Sequence, residues 1–242
     1  MNRLVLLFSI LVLPLFANEA ELIMQKVEKN YRGKSIYMKL TMKVVSLGHE
    51  RTIKIESFSR GSKKSFVKIL YPPRDRGITF LSLNNQMWQY VPKIERIIKI
   101  PPSMMLQNWM GSNITNDDMV KQSSIVEDYN AKILKKEGAL VTVELLPKED
   151  APVVWGKIVS LIDTTTYTSK KDLFYDEDFE EVRVFTYKDV KRFGSYYMPT
   201  YWRVEPSDTH NKYTEIRLED VKYDLEIPEA YFTKSALKRF SR

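Results

Sequence analysis

The chain has 242 residues, of which 43% are hydrophobic and 29% charged, with a formal net charge of +7 and no cysteine. The absence of cysteine excludes disulfides, thiolate nucleophiles, thiolate metal ligands and a lipidated cysteine. Basic residues lie scattered among acids in runs no longer than Lys63-Lys64, Lys135-Lys136 or Lys170-Lys171. That distribution excludes the concentrated stripe a nucleic acid requires and leaves a modest attraction to anionic headgroups.

Asn2 and Arg3 open the chain, an apolar run follows from Leu4 to Phe16, broken only by Ser9 and Pro14, and Ala17 is small enough for a cleavage position. This is the pattern of a secretory signal peptide over residues 1–17, and the run is too short to span a bilayer as a helix. The expectation is an exported chain whose mature part, residues 18–242, forms one domain with a sizeable core.

Asn18 to Tyr31 reads as an amphipathic helix. Asn18 caps the N-H near Glu21, and Ala20, Ile23, Met24, Val27 and Tyr31 line one face at steps of three and four. After Gly33 the period becomes two: Ile36, Met38, Leu40, Met42 and Val44 alternate with a largely polar edge. Gly48-His49 is read as a turn. Strands are expected at 51–58, 65–71, 78–83, 86–91 and 95–100, then at 124–136, 140–146, 155–163, 173–175, 182–190, 196–204 and 212–223. The tail from Pro228 to Phe240 ends in a helical turn.

Eleven or more short strands with one long amphipathic helix predict a mainly β chain with helices (α+β). Its curved antiparallel sheet forms a half-open, unclosed β-barrel, covered by the N-terminal helix and short lid helices. The connection from Pro101 to Gly111 is unusual, because Met104, Met105, Leu106, Trp109 and Met110 crowd into a segment that would ordinarily be polar. It is read as a mobile lid or docking element, together with Ile23 and Val27 of the helix.

Several motifs in order carry a resemblance. Trp88-Gln-Tyr90-Val-Pro92, Arg96 to Pro101, Trp109-Met-Gly111-Ser112-Asn113 and Asp117-Asp118-Met119 are followed by Phe174-Tyr-Asp176, Tyr187-Lys-Asp189-Val190 and Tyr213-Thr214-Glu215. With Tyr71 to Gly77 (YPPRDRG) upstream, this set resembles the outer-membrane lipoprotein-sorting proteins, a LolA-like family, over essentially the whole mature chain. The resemblance implies a periplasmic half-barrel, monomeric, that holds acyl chains of lipids or lipoproteins. It also implies transient membrane contact, an inner-membrane RND-type exporter as partner, and no catalysis. Asn113 stands where that family usually has Asp, and Ile114 replaces the aromatic that follows.

Such a site needs apolar shape and pliable methionine rather than a catalytic triad. The candidates for a hydrophobic cavity are Met38, Leu40, Met42, Ile53, Ile55, Met87 and Trp88; a closed core is the alternative for all of them. Arg74 and Arg76, in a loop stiffened by two prolines, are either a docking site or an ordinary turn. Trp202, with Tyr196 and Tyr197, is expected to pack outside the sheet. Gly111-Ser112-Asn113 lacks the G-x-S-x-G pattern, and the acids from Asp176 to Glu181 lack calcium-loop spacing. His49 and His210 are the only histidines, both in turn-like surroundings, so no metal, cofactor or catalytic residue is expected. The rival reading is a non-carrying periplasmic adaptor of an exporter, with a filled core.

Overall fold

The structure, a computed structural model, describes residues 18–121, 125–209 and 211–242. The expected signal peptide and His210 lie outside them. A helix, α1 (Glu19–Arg32), precedes six strands: β1 (Ser35–Ser46), β2 (His49–Arg60), β3 (Lys64–Tyr71), β4 (Thr79–Leu83), β5 (Gln86–Val91) and β6 (Arg96–Ile100). Two short helices, α2 (Asn116–Lys121) and α3 (Ile125–Asp128), lead to the second run. It comprises β7 (Tyr129–Glu137), β8 (Leu140–Pro147), β9 (Lys157–Asp163), β10 (Thr168–Tyr175), β11 (Glu181–Phe193), β12 (Tyr196–Pro206) and β13 (Lys212–Tyr223), and helix α4 (Lys234–Arg239) follows.

All thirteen strands form one antiparallel sheet in the order β6-β5-β4-β3-β2-β1-β13-β12-β11-β10-β9-β8-β7. Each half is a meander, and the long β1–β13 pairing, Ile36 opposite Tyr223 to Ser46 opposite Lys212, joins them. Strands β6 and β7 are left as free edges, so the sheet curls without closing.

The alternation of β1 is realised: Ile36, Leu40, Met42 and Val44 are buried on the concave face. On the other side of the sheet, β3 to β5 are covered as well. There Phe66, Leu81, Trp88 and Tyr90 meet Phe232, Ala236 and Leu237 of the tail. A strand buried on both faces cannot show a polar edge, which is why Thr79 to Ser82 are all buried.

Two sequence readings shift. The first turn is Leu47-Gly48, both at positive φ, and His49 already pairs with Ser46. The expected strand at 124–136 begins as α3. Despite the β-branched Ile125 and Val126, its first turn is satisfied from elsewhere in the fold, because Glu28 of α1 accepts the Val126 N-H.

Helix α1 lies on the concave side. Asn18 accepts the Glu21 N-H at 2.9 Å, and Glu21 accepts from the Asn18 amide at 3.1 Å, so the capping is reciprocal as the sequence indicated. Ala20, Ile23, Met24 and Val27 are buried against β7, β8 and β9. Asn30 fastens the other end. Its amide donates to the Thr166 and Tyr167 carbonyls at 2.7 and 2.9 Å, and its oxygen accepts the Tyr197 N-H at 3.1 Å. Ladder pairing between β12 and β13 is confined to Tyr201–Val204 and Thr214–Arg217, so the Asn30 oxygen satisfies a β12 N-H beyond that ladder while its amide satisfies the β9–β10 turn.

Asn30→Ala would strand those groups in a buried place. It should lower stability by about 2–4 kcal/mol in urea unfolding, whereas Leu22→Ala, at a position 47% exposed, should stay within about 0.5 kcal/mol. Equal effects would mean that Asn30 does not tie the helix to the sheet.

Candidate functional site

The concave side is divided into a packed part and an open part. In the packed part, Trp109 is 2% exposed and lies against Phe80 with ring centroids 5.1 Å apart. It shares one cluster with Met42, Ile53, Ile55, Met87 and Ile114, while Met104, Met105 and Met110 pack on its margin. The methionine-rich connection therefore serves as filling for this end of the half-barrel. Arg51 ties it down, donating to the Met110 carbonyl at 3.1 Å and pairing with Asp75 at 2.5 Å.

Beside it the concave face encloses a chamber of about 190 Å³. Met24, Val27 and Tyr31 of α1 form one wall. Ile36 and Met38 of β1, with Met198 and Trp202 of β12, form another, and Met119 and Val120 of α2 cover it. Gly61, Lys63, Lys64 and Asn85, at the tips of the β2–β3 and β4–β5 hairpins, lie at its rim. Aromatic rings continue along the interior in contact: Trp155 with Phe174 at 5.4 Å, Phe174 with Phe185 at 5.2 Å, Phe185 with Tyr187 at 6.0 Å, and Tyr187 with Trp202 at 6.1 Å.

The candidates chosen from sequence separate accordingly. Of the seven strand positions, Met38 lines the chamber, whereas Leu40, Met42, Ile53, Ile55 and Met87 lie in the packed cluster. Trp88 is on the opposite face of β5, against the C-terminal tail, because a two-residue period turns it away from Met87. Val27 faces the chamber and Ile23 is buried beneath α1. Arg74 and Arg76 remain exposed, with Arg74 3.4 Å from Asp75. Trp202, expected outside, is 6% exposed and part of the chamber wall, since β12 turns Met198, Thr200, Trp202 and Val204 inward.

Two polar groups inside escaped the sequence reading. Arg183 is 5% exposed and grips Asp118 of α2 with two bonds of 2.6 Å. Its guanidinium lies 4.2 Å from the Trp155 ring centroid and 4.5 Å from that of Phe174, an enclosure suited to a delocalised cation. Alternation along Arg183, Phe185 and Tyr187 was the available signal. Asp118 also accepts the Thr115 N-H at 2.7 Å, so one carboxylate caps α2 and holds it on the sheet.

Asp172 is the second. It lies within β10, which begins at Thr168 rather than at the expected Leu173. A bulge between Ser169 and Lys171 brings both Ser169 and Asp172 to the chamber wall. Burial pushes its carboxyl up, although the hydroxyls of Ser160, Tyr187 and Ser169 act in the opposite sense. The same burial raises the Tyr31 and Tyr187 phenols well above their ordinary range. At the rim, Glu28 and Arg32 pair at 2.8 Å; burial raises Glu28 and pulls Arg32 down to about 10.

Among the described residues no cluster of three or more His, Asp or Glu side chains could hold a metal ion, and no helix is long and apolar enough to cross a membrane.

Two outcomes are expected. Asp118→Ala leaves Arg183 buried without its partner and should cost about 3–5 kcal/mol in denaturant unfolding, while Asp118→Leu with Arg183→Met should cost much less. Equal losses would show that the charge is not what is being left behind. For Asp172, a raised folded-state value means that stability from protonation is present in acid and lost as pH rises through that value. Asp172→Asn should therefore raise the melting temperature at pH 7 by a few degrees. The gain should vanish below about pH 4, where the unfolded chain is protonated too.

A family model described as "Uncharacterized protein"-like matches residues 61–239. No curated protein matches the chain. Among solved structures, a domain from Vibrio parahaemolyticus described as an outer membrane lipoprotein-sorting protein domain superposes with a TM-score of 0.80 at 21% identity, covering 91% of this chain and 98% of that one. A DUF1329 family protein from Desulfovibrio piger gives 0.83 at 19% identity, covering 90% and 97%. A LolA superfamily protein from Nitrosomonas europaea gives 0.77 at 19% identity, covering 91% and 100%.

Proposed function

The chain belongs to the family matched over residues 61–239 and has the LolA-like fold, and from that premise we propose that it is a non-enzymatic carrier of acyl chains. The observation that carries this reading is the apolar chamber between α1, α2 and the sheet, which the chain's own side chains leave unfilled. Each methylene transferred there from water contributes roughly 0.8 kcal/mol, so a chain needs no directional bond to be held. A volume of about 190 Å³ would hold on the order of a dozen waters. It therefore takes a stretch of acyl chain at rest, and a longer tail requires the cover to move.

The geometry favours α2 as that cover. Helix α1 is fastened at its N-terminus by Asn18 donating to the Ala131 carbonyl and at its C-terminus by Asn30. It acts as a fixed wall, and Ile23 and Val27 belong to that wall. By contrast α2 is held to the sheet chiefly by the Asp118–Arg183 pair, its other bonds running from Asn116 and Asp117 to the connection before it. Loading and release then follow from a difference in affinity between covered and uncovered states. The function envisaged is a monomeric shuttle for lipids or lipoprotein anchors in the periplasm, reached by means of residues 1–17. It would receive cargo from an RND-type exporter of the inner membrane through transient contact, with Arg74 and Arg76 available for docking.

The adaptor reading has one observation of its own. Edge strand β6 presents Ile97 and Ile98 at 44% and 41% exposure, with Ile94 just before it at 54%, a surface able to receive a partner. Native mass spectrometry of the protein purified from the periplasm separates the two. A carrier should retain acyl-bearing molecules, and Met38→Trp, which fills the chamber without adding charge, should cut that retention by about fivefold or more with the fold intact. No retained lipid in the native protein would favour the adaptor.

A further inference from the structure

Asp172 is an acidic side chain on the chamber wall, opposite Ser160 of the neighbouring strand. It is 9% exposed, and its Oδ1 has no hydrogen-bond partner among the described residues. A bare hydrocarbon chamber would be better lined at this position by leucine, since a buried carboxyl without full satisfaction is costly. The bulge at Lys170 adds Ser169 to the same spot, Ser160 approaches from the neighbouring strand, and the buried Tyr31 and Tyr187 hydroxyls complete a polar patch within an otherwise apolar wall.

Resting on the carrier reading above, we propose that this patch is a subsite for a hydroxyl group borne on the buried part of the acyl ligand, with Asp172 Oδ1 as the acceptor. Charge selects a neutral donor. An ammonium would have to be desolvated inside an apolar chamber, and a carboxylate would face Asp172 itself. The orientation follows from the rim, where Lys63 and Lys64 lie: an anionic headgroup stays beside the lysines while the hydroxylated portion reaches the patch. An unsubstituted chain binds as well, but leaves Asp172 Oδ1 without a partner, so selectivity arises from the one oxygen of the patch that a hydroxyl would satisfy.

Displacement of a fluorescent fatty acid from the full-length mature protein by palmitate and by 16-hydroxypalmitate tests this. The hydroxylated acid should bind about tenfold more tightly. Asp172→Leu should abolish the preference while keeping affinity for palmitate, and Asp172→Asn, which retains a carbonyl acceptor, should keep most of it. Equal affinities for the two acids in the native protein would overturn the subsite and leave the carrier reading standing. A preference that persists undiminished in Asp172→Leu would do the same. Failure to bind either acid would remove both.

Discussion

A sheet that curls without closing has an apolar concave face that its own strands cannot cover, and everything inside this molecule answers to that constraint. Thirteen strands bend around one interior while the outer edges of β6 and β7 stay unpaired among the described residues. The covering must therefore come from segments between and before the strands. Helix α1 and the connection between β6 and β7 supply it, each on its own part of the face. They do so unequally: Trp109 and its neighbours bury one end, and α1 with α2 bridge the other without filling it. The chamber is what remains.

How these covers are fastened follows from the cost of burying backbone and charge. Asn30 meets three backbone groups, two carbonyls of the β9–β10 turn and one N-H of β12, so moving α1 would expose all three at once. Asp118 binds Arg183 through two short bonds in an aromatic enclosure. That contact is strong but local, joining one residue of α2 to one residue of β11. The two covers are thus fastened by different chemistry: α1 by amide bonding to the sheet, α2 by a buried ion pair to β11 together with bonds from Asn116 and Asp117 to the carbonyls of Gln107, Met105 and Met104. Tolerance of shape is added by Met24, Met38, Met119 and Met198, whose flexible thioethers suit a ligand of variable outline.

The same physics explains which residues could be recognised in advance. Met38 and Val27 were legible because alternation along β1 and the three-four spacing along α1 state which way each side chain points. Leu40, Met42, Ile53, Ile55 and Met87 obey the same periodicity and do face inward, yet they are packed by Trp109 and its segment. Nothing local to β1, β2 or β5 says where that segment will settle. Trp88 was misplaced for a simpler reason, since adjacent residues of one strand cannot share a face. Asp172 was missed because the strand, expected only at 173–175, begins at Thr168, and a bulge within it resets the alternation.

The amino-acid sequence by itself determined the mainly β architecture, the capped amphipathic α1 and the inward faces of the strands, because these depend on periodicity and on contacts a few residues apart. Tertiary structure alone decided how much of the concave face is filled. It set α3 as helix through Glu28, fastened α2 through Arg183, and brought Asp172 beside Ser160 and Tyr187. Those outcomes depend on pairings between residues far apart in the chain, whose energies are settled only when the sheet has curled and each buried polar group has found, or failed to find, its partner.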